Sequence, residues 1–565
     1  MIVTHLLSRA ALPLSLFLAL TLGPGHLRAE GLAGAYLAAE QASYNNEYEK
    51  AAFYYTKALA RDPDNPNLMQ SAMLAHLSKG DMKQARAIAR RMEAINADSQ
   101  LSQLVTMTDL LREGDFAAAK SLFAAGVEFS PLLDGLMQGW IYLGLGQMSE
   151  AVARFEAMGT SPAMQAFSDY HRAMALAVVG DFESAERLLA GDTTPIRIGR
   201  GSLIAHITIL SQLDRNSEAM EIIDMSLNGS ADPEIVALRA QLVNGETLPF
   251  THITNATEGA SEVFMSLATV LAGDENDRFG LIYGRMAEYL RPESTAALLL
   301  VAEQLNEQGQ YALAVENYNR VPVDSPVFFS AEIGRAESLI ADGRAEAAIE
   351  VLRGLTKTHG QIPSVQTSLG DALRRESRFA EATLAYTAAI DLISEPLPNH
   401  WFLYYARGIT YEREGAWDKA EADFRFALEL SPDQPLVLNY LGYGLVEKRI
   451  KMTEAQGMIE TAVARRPNDG YITDSLGWVL YRLDKFAEAV PHLERAVELL
   501  PIDPIINDHL GDAYWKVGRK LEAQFQWRRA LSFEPEEQEA TRIRKKLELG
   551  LDVVLDDEAK TVASE

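Results

Sequence analysis

The chain has 565 residues, 48% of them hydrophobic and 8% aromatic, with 52 Lys plus Arg against 79 Asp plus Glu, a net charge of −27 and no cysteine. So much apolar residue over such a length supports a large buried core and excludes wholesale disorder, a collagen-like chain or a disulfide scaffold. Without cysteine there is no disulfide, thiolate metal site, thiol nucleophile or lipid-modified N-terminal cysteine, and the negative charge disfavours nucleic acid and anionic lipid as partners.

Residues 1–29 read as an export signal. Arg9 precedes an uncharged stretch, Ala10 to Leu22, which Gly23, Pro24 and Gly25 interrupt before Ala29. Such a stretch is too short for a transmembrane helix, which needs about 20 apolar residues, but it suits the apolar region of a signal peptide. No later segment reaches 18 apolar residues in a row. The expected mature chain is therefore periplasmic or secreted, with no stable membrane insertion.

From residue 32 onward one unit recurs. Units begin at residues 32, 66, 100, 132, 166, 200, 261, 295, 329, 363, 401, 435, 470 and 504, and nine of the thirteen intervals are 34 residues. Position 20 of the unit is Ala51, Ala85, Ala119, Ala151, Ala185, Ala219, Gly280, Ala314, Ala348, Ala382, Ala420, Ala455, Ala489 and Ala523, allowing one inserted residue in the unit from 435. A small residue there lets two helices approach closely, and a large residue four positions on, such as Tyr386, Phe424 or Trp527, fills the adjoining hole. Position 15 is often glycine (Gly80, Gly415, Gly518), where a positive φ ends the first helix, and position 32 is often proline (Pro432, Pro501, Pro535), which stops the unit.

The run Gly408, Tyr411, Gly415, Ala420, Phe424, Ala427 and Pro432, repeated as Gly511, Tyr514, Gly518, Ala523, Trp527, Ala530 and Pro535, resembles the tetratricopeptide repeat. The resemblance implies an all-α fold, a right-handed superhelical solenoid of about fourteen helix-turn-helix units. The pattern breaks once, where 244–259, NGETLPFTHITNATEG, has no helical period. The expected organisation is a signal peptide at 1–29, an N-terminal array at 32–231 and an irregular insertion at 232–260, either hinge or binding loop. A C-terminal array at 261–537, a capping helix at 538–550 and an acidic flexible tail at 551–565 complete it.

Catalytic motifs are missing. The chain has no Gly-Lys dipeptide for a phosphate loop, no H-E-x-x-H and no G-x-S-x-G. Asp274, Asn276 and Asp277 begin like a calcium loop, but its twelfth position is Arg285, not the bidentate Glu that a hard cation needs. His492 and His509 are read as ordinary packed or surface imidazoles. No enzyme, cofactor or metal is expected.

What the resemblance implies about binding is positional: positions 2, 5, 9, 12 and 13 face the groove. In the last four units these include Tyr405, Tyr443, Trp478, Tyr481 and Trp515 as aromatic anchors, with Asp474, Asp508 and Asp512 as acidic points and Arg482 beside them. Aromatic and Arg side chains dominate binding energies, so the groove is expected to hold apolar or basic segments of protein or peptide. The last 165 residues or so also resemble exported bacterial tetratricopeptide lipoproteins that act as adaptors, presenting cell-wall hydrolases to a carboxy-terminal processing protease. Those relatives carry a lipidated cysteine, which this chain lacks. A non-enzymatic scaffold or adaptor of the cell envelope is thus the expected function, and a structural subunit of an envelope secretion or polysaccharide-export assembly is the alternative.

Overall fold

A computed structural model describes residues 32–159, 162–191, 199–227, 233–272 and 278–562. The expected signal peptide and the Asp274 to Asp277 segment lie outside these residues. The described residues form 31 α-helices and no strand. Thirteen antiparallel pairs, from Leu32–Tyr44 with Tyr48–Leu59 to Pro504–Lys516 with Lys520–Ser532, account for most of them. The five remaining helices are Pro233–Val243, Phe328–Ala341, Ala345–His359, Glu537–Leu549 and Leu551–Val562.

Local chemistry sets the ends of these helices. Asn65, Ser130 and Asp469 each accept a backbone N–H at a helix start, and Pro66, Pro131, Pro435 and Pro504 occupy the first turn, where the missing N–H costs nothing. Gly80, at φ +93°, closes the helix Pro66–Lys79 in the left-handed region. The thirteen alanines at position 20 are all fully buried, at 0% exposure. The partner contact is as tight: a Cβ added to Gly408 would lie 2.6 Å from the Phe424 ring, and one on Gly511 2.5 Å from Trp527. These two pairs therefore close by seating a large side chain on a backbone that has none.

The chain divides into two compact units, one ending at Gly343 and one beginning at Arg344. This differs from the break expected at 232–260. The helices Ala256–Leu271 and Arg278–Leu290 join the first unit, because they pack on the face formed by its first helices. Gly259 lies against the Trp140 ring, Thr108 Oγ1 meets Met286 Sδ at 3.6 Å, and Arg112 donates to the Leu290 carbonyl at 2.7 Å. One hydrophobic cluster accordingly runs from Met69 to Ala297. Nor is 232–260 irregular throughout. Pro233–Val243 is helical, and the stretch after it is anchored by buried Leu248 and Ile253 and by the Leu248 N–H donating to Ser211 Oγ at 2.9 Å.

The C-terminus departs from expectation too. The helix expected at 538–550 is Glu537–Leu549, but the acidic segment after it forms a second helix, Leu551–Val562. Leu551 and Val554 are buried, and Asp552 accepts from Trp515 Nε1 at 2.9 Å and Lys516 Nζ at 2.7 Å. Its acidic composition hides apolar residues spaced three apart, enough to pack one face.

Candidate protein-binding site

The second unit holds the residues singled out from sequence, and it uses many of them internally. Helix Pro504–Lys516 presents Asp508 and Asp512 one turn apart, and Lys546 of the helix Glu537–Leu549 reaches both, at 2.7 Å and 2.6 Å. Lys546 is 1% exposed and Asp512 0%. Arg542 lies 3.6 Å from each carboxylate. Burial and the neighbouring Asp512 charge raise the Asp508 carboxyl, an effect that Lys546 opposes. Trp515 is covered likewise, by Asp552 and by Gly550, whose Cβ position lies 2.8 Å from the indole. These three side chains hold the C-terminal helices in place.

Asp474, Trp478, Tyr481 and Arg482 share helix Gly470–Arg482 and form a layered cluster. Trp478 stacks between Tyr481 (ring centroids 4.8 Å apart, 8°) and His509 (3.9 Å, 13°). Its Nε1 donates to Glu447 at 2.7 Å, and Arg482 approaches the same carboxylate at 3.3 Å. His509 Nδ1 lies 2.9 Å from Asp474. Burial disfavours the imidazolium, but the Asp474 carboxylate, with Asp508 and Asp512 behind it, more than offsets this and raises the His509 pKa. Tyr405 packs edge-on to Tyr440 at 5.9 Å, and burial pushes its hydroxyl up to about 12.

What stays open is a cleft of about 520 Å³ between neighbouring pairs, within the size range of binding sites. Of the nine residues singled out, Tyr443 and Asp474 line it, and so do the groove positions Glu412, Arg413, Asn439, Glu447, Tyr471 and Ile505. Its further walls include Trp417 and Tyr440. Burial, followed by the Glu447 and Asp474 charges, raises the Tyr443 hydroxyl so that it stays protonated and able to donate. Two buried polar atoms of lining residues, Trp417 Nε1 and Asn439 Oδ1, have no hydrogen-bond partner in the described chain. Sequence reasoning passed over Trp417 and Tyr440, which sit outside the five groove positions, and it set aside His509; an aromatic residue recurring beside the groove register was the available signal.

Among the described residues no group of three or more His, Asp or Glu could hold a metal ion, and no helix is long and apolar enough to cross a membrane.

Family comparisons agree with the repeat architecture. Tetratricopeptide repeat models match residues 44–107, 333–395 and 367–435. The matched stretches are tetratricopeptide repeats, and the helix pairs around them keep the same register. A TPR repeat-containing protein of Pseudomonas aeruginosa is 28% identical over 186 residues, which span 32% of this chain and 30% of that relative. Among solved structures, the Cut9–Hcn1 hetero-tetramer of the APC/C is 15% identical, covering 92% of this chain and 96% of its own, with a TM-score of 0.39. Yeast Tom70 is 14% identical over 94% of this chain and 99% of its own, with a TM-score of 0.33. YrrB, described as a TPR protein with an unusual peptide-binding site, is 19% identical over 35% of this chain and 99% of its own, with a TM-score of 0.28.

Proposed function

We propose that the chain is a non-enzymatic scaffold or adaptor of the bacterial cell envelope that binds a segment of another protein in the cleft around Tyr443. The observation that carries this reading is an aromatic cleft two of whose lining residues, Trp417 and Asn439, each bury a polar atom, Nε1 and Oδ1, with no partner in the described chain. Buried polar groups are nearly always hydrogen-bonded, and one donor with one acceptor is the complement of a peptide unit. The four lining carboxylates of Glu412, Glu447, Asp474 and Asp503 outnumber the cations Arg413 and Lys448 and favour a basic or apolar segment over an acidic one. The apolar region at 10–22 supports export, and the resemblance of the C-terminal repeats to exported adaptors supports presentation of a substrate to a protease.

A photo-crosslinking amino acid at Tyr471, which is 60% exposed on the cleft wall, tests this in the living cell. The expected result is one dominant protein adduct, identified by mass spectrometry as a protease or wall hydrolase and lost when Tyr443→Ala is added. A synthase or outer-membrane channel in its place would support the assembly-subunit reading. No adduct, or one indifferent to Tyr443, would overturn the site.

A further inference from the structure

The outer face of the last repeat differs in chemistry from that of the repeats before it. Positions 18 and 22 of the unit stand on the second helix, one turn apart, and both are exposed in each of the last four units. Three of these units hold Asp418 and Ala422, Thr453 and Gly457, and Ala487 and Pro491 there, whereas the last, on helix Lys520–Ser532, holds Leu521 and Phe525. Leu521 is 71% exposed and Phe525 66%. Helical spacing brings Arg528, Arg529 and Ser532, all exposed, into the same arc of about 100° as these two. Neither arginine enters an ion pair among the described residues. Glu522, just outside the arc, is paired with Arg519 at 3.1 Å.

We propose that this face rests on the surface of an anionic phospholipid bilayer, with Leu521 and Phe525 entering the headgroup layer and Arg528 and Arg529 at the phosphates. Bulky apolar side chains flanked by cations along one exposed face are what a helix lying on such a surface presents. The net charge of −27 opposes the approach at long range, but in physiological salt charges more than about 8 Å away are largely screened, so the local arc governs the contact. A second copy fits this face poorly, because twofold pairing would set Arg528 and Arg529 against their own counterparts. An acidic protein would need carboxylates aimed at each guanidinium. A bilayer instead spreads its charge over a plane, which suits arginines that nothing in the chain holds in a fixed geometry. The face belongs to a second helix and Tyr443 to a first, so the proposal is independent of that cleft.

The test is co-sedimentation of the mature form, from Glu30 onward and with every described residue, with lipid vesicles. The expected result is binding to vesicles of equal parts phosphatidylglycerol and phosphatidylcholine that exceeds binding to phosphatidylcholine alone by about fivefold or more. Leu521→Ser/Phe525→Ser should lower the fraction bound to anionic vesicles about fivefold, and Arg528→Gln/Arg529→Gln should do the same. Leu384→Ser removes a leucine that is also 71% exposed, from another second helix, and should change nothing. Circular dichroism confirms that the variants melt as the parent does; where a double variant does not, Phe525→Ser or Arg528→Gln alone replaces it. Equal binding to both kinds of vesicle, binding to neither, or anionic binding that Leu521→Ser/Phe525→Ser leaves unchanged would overturn the proposal. So would a dimer, seen by sedimentation velocity, that the same variant dissociates, since the face would then belong to a second copy.

Discussion

The two compact units are built from the same repeat and treat the face of their first helices differently. In the first unit that face is occupied by the chain itself: Ala256–Leu271 and Arg278–Leu290 lie across the second to fifth pairs, fixed by Gly259 under Trp140, by Tyr170 donating to Glu262 at 2.7 Å and by Arg285 on the Ser78 carbonyl at 3.3 Å. In the second unit Lys546 and Asp552 cover the last pair, and the Tyr443 cleft stays open. The repeat thus sets how helices pair, while a few residues outside its consensus decide whether the resulting surface is core or site. Gly259 is one of them, since any larger side chain would hold the inner helix off the Trp140 ring.

The comparison can be broken most forcefully at the C-terminal end. Lys546→Ala leaves Asp508 and Asp512 buried without their cation, and losing one partner of a buried ion pair costs about 3–5 kcal/mol. Chemical denaturation should show that loss, and hydrogen exchange should place it in the second unit. Lys546→Met, which keeps the stem, should recover part of it. In the first unit, Gly259→Ala forces a Cβ to within 2.1 Å of Trp140, and overpacking of this kind costs about 1–3 kcal/mol. Hydrogen exchange should then rise across Ala256–Leu271 and leave the second unit unchanged. A third variant, Tyr443→Ala, should weaken the partner adduct by more than about 1 kcal/mol in apparent affinity with an unchanged melting temperature, because Tyr443 lines an open cleft.

The smallest effect is the most diagnostic. His171 of the first unit is fully buried, and burial pulls its pKa down to about 4. Its neutral form is favoured in the folded state, so its contribution is present above the ordinary 6.5 and is lost as pH falls from there toward about 4. His509 has the opposite sign. Its raised pKa makes its contribution full below 6.5 and lost as pH rises through the higher folded value. Rate-corrected hydrogen exchange on the intact chain between pH 5 and 8 should show protection at the His171 helix rising with pH and protection at the His509 helix falling. Asp474→Asn should flatten the second trend alone.

Much of this was legible in the residues. The alanine column at position 20 set the register of the helix pairs, and all thirteen alanines are buried as close approach requires. The site was less legible. Of the nine residues singled out among the groove positions, Tyr443 and Asp474 line the open cleft, joined by other groove positions such as Glu412, Asn439 and Tyr471, while Asp508, Asp512 and Trp515 hold the C-terminal helices. Repeat position states which way a side chain points from its own helix; it carries no information on what arrives from elsewhere in the chain to meet it.

By itself, therefore, the sequence determined the helix-turn-helix unit, its recurrence, the all-α class and the tight seam within each pair, because these depend on residues within 34 positions of one another. The tertiary structure decided which faces are covered. The folding of 256–290 onto the first unit, the burial of Lys546 between two aspartates, the Tyr481–Trp478–His509 stack and the open cleft around Tyr443 each depend on meetings between neighbouring or distant units. A local period fixes the direction of a side chain, and only packing fixes its partner.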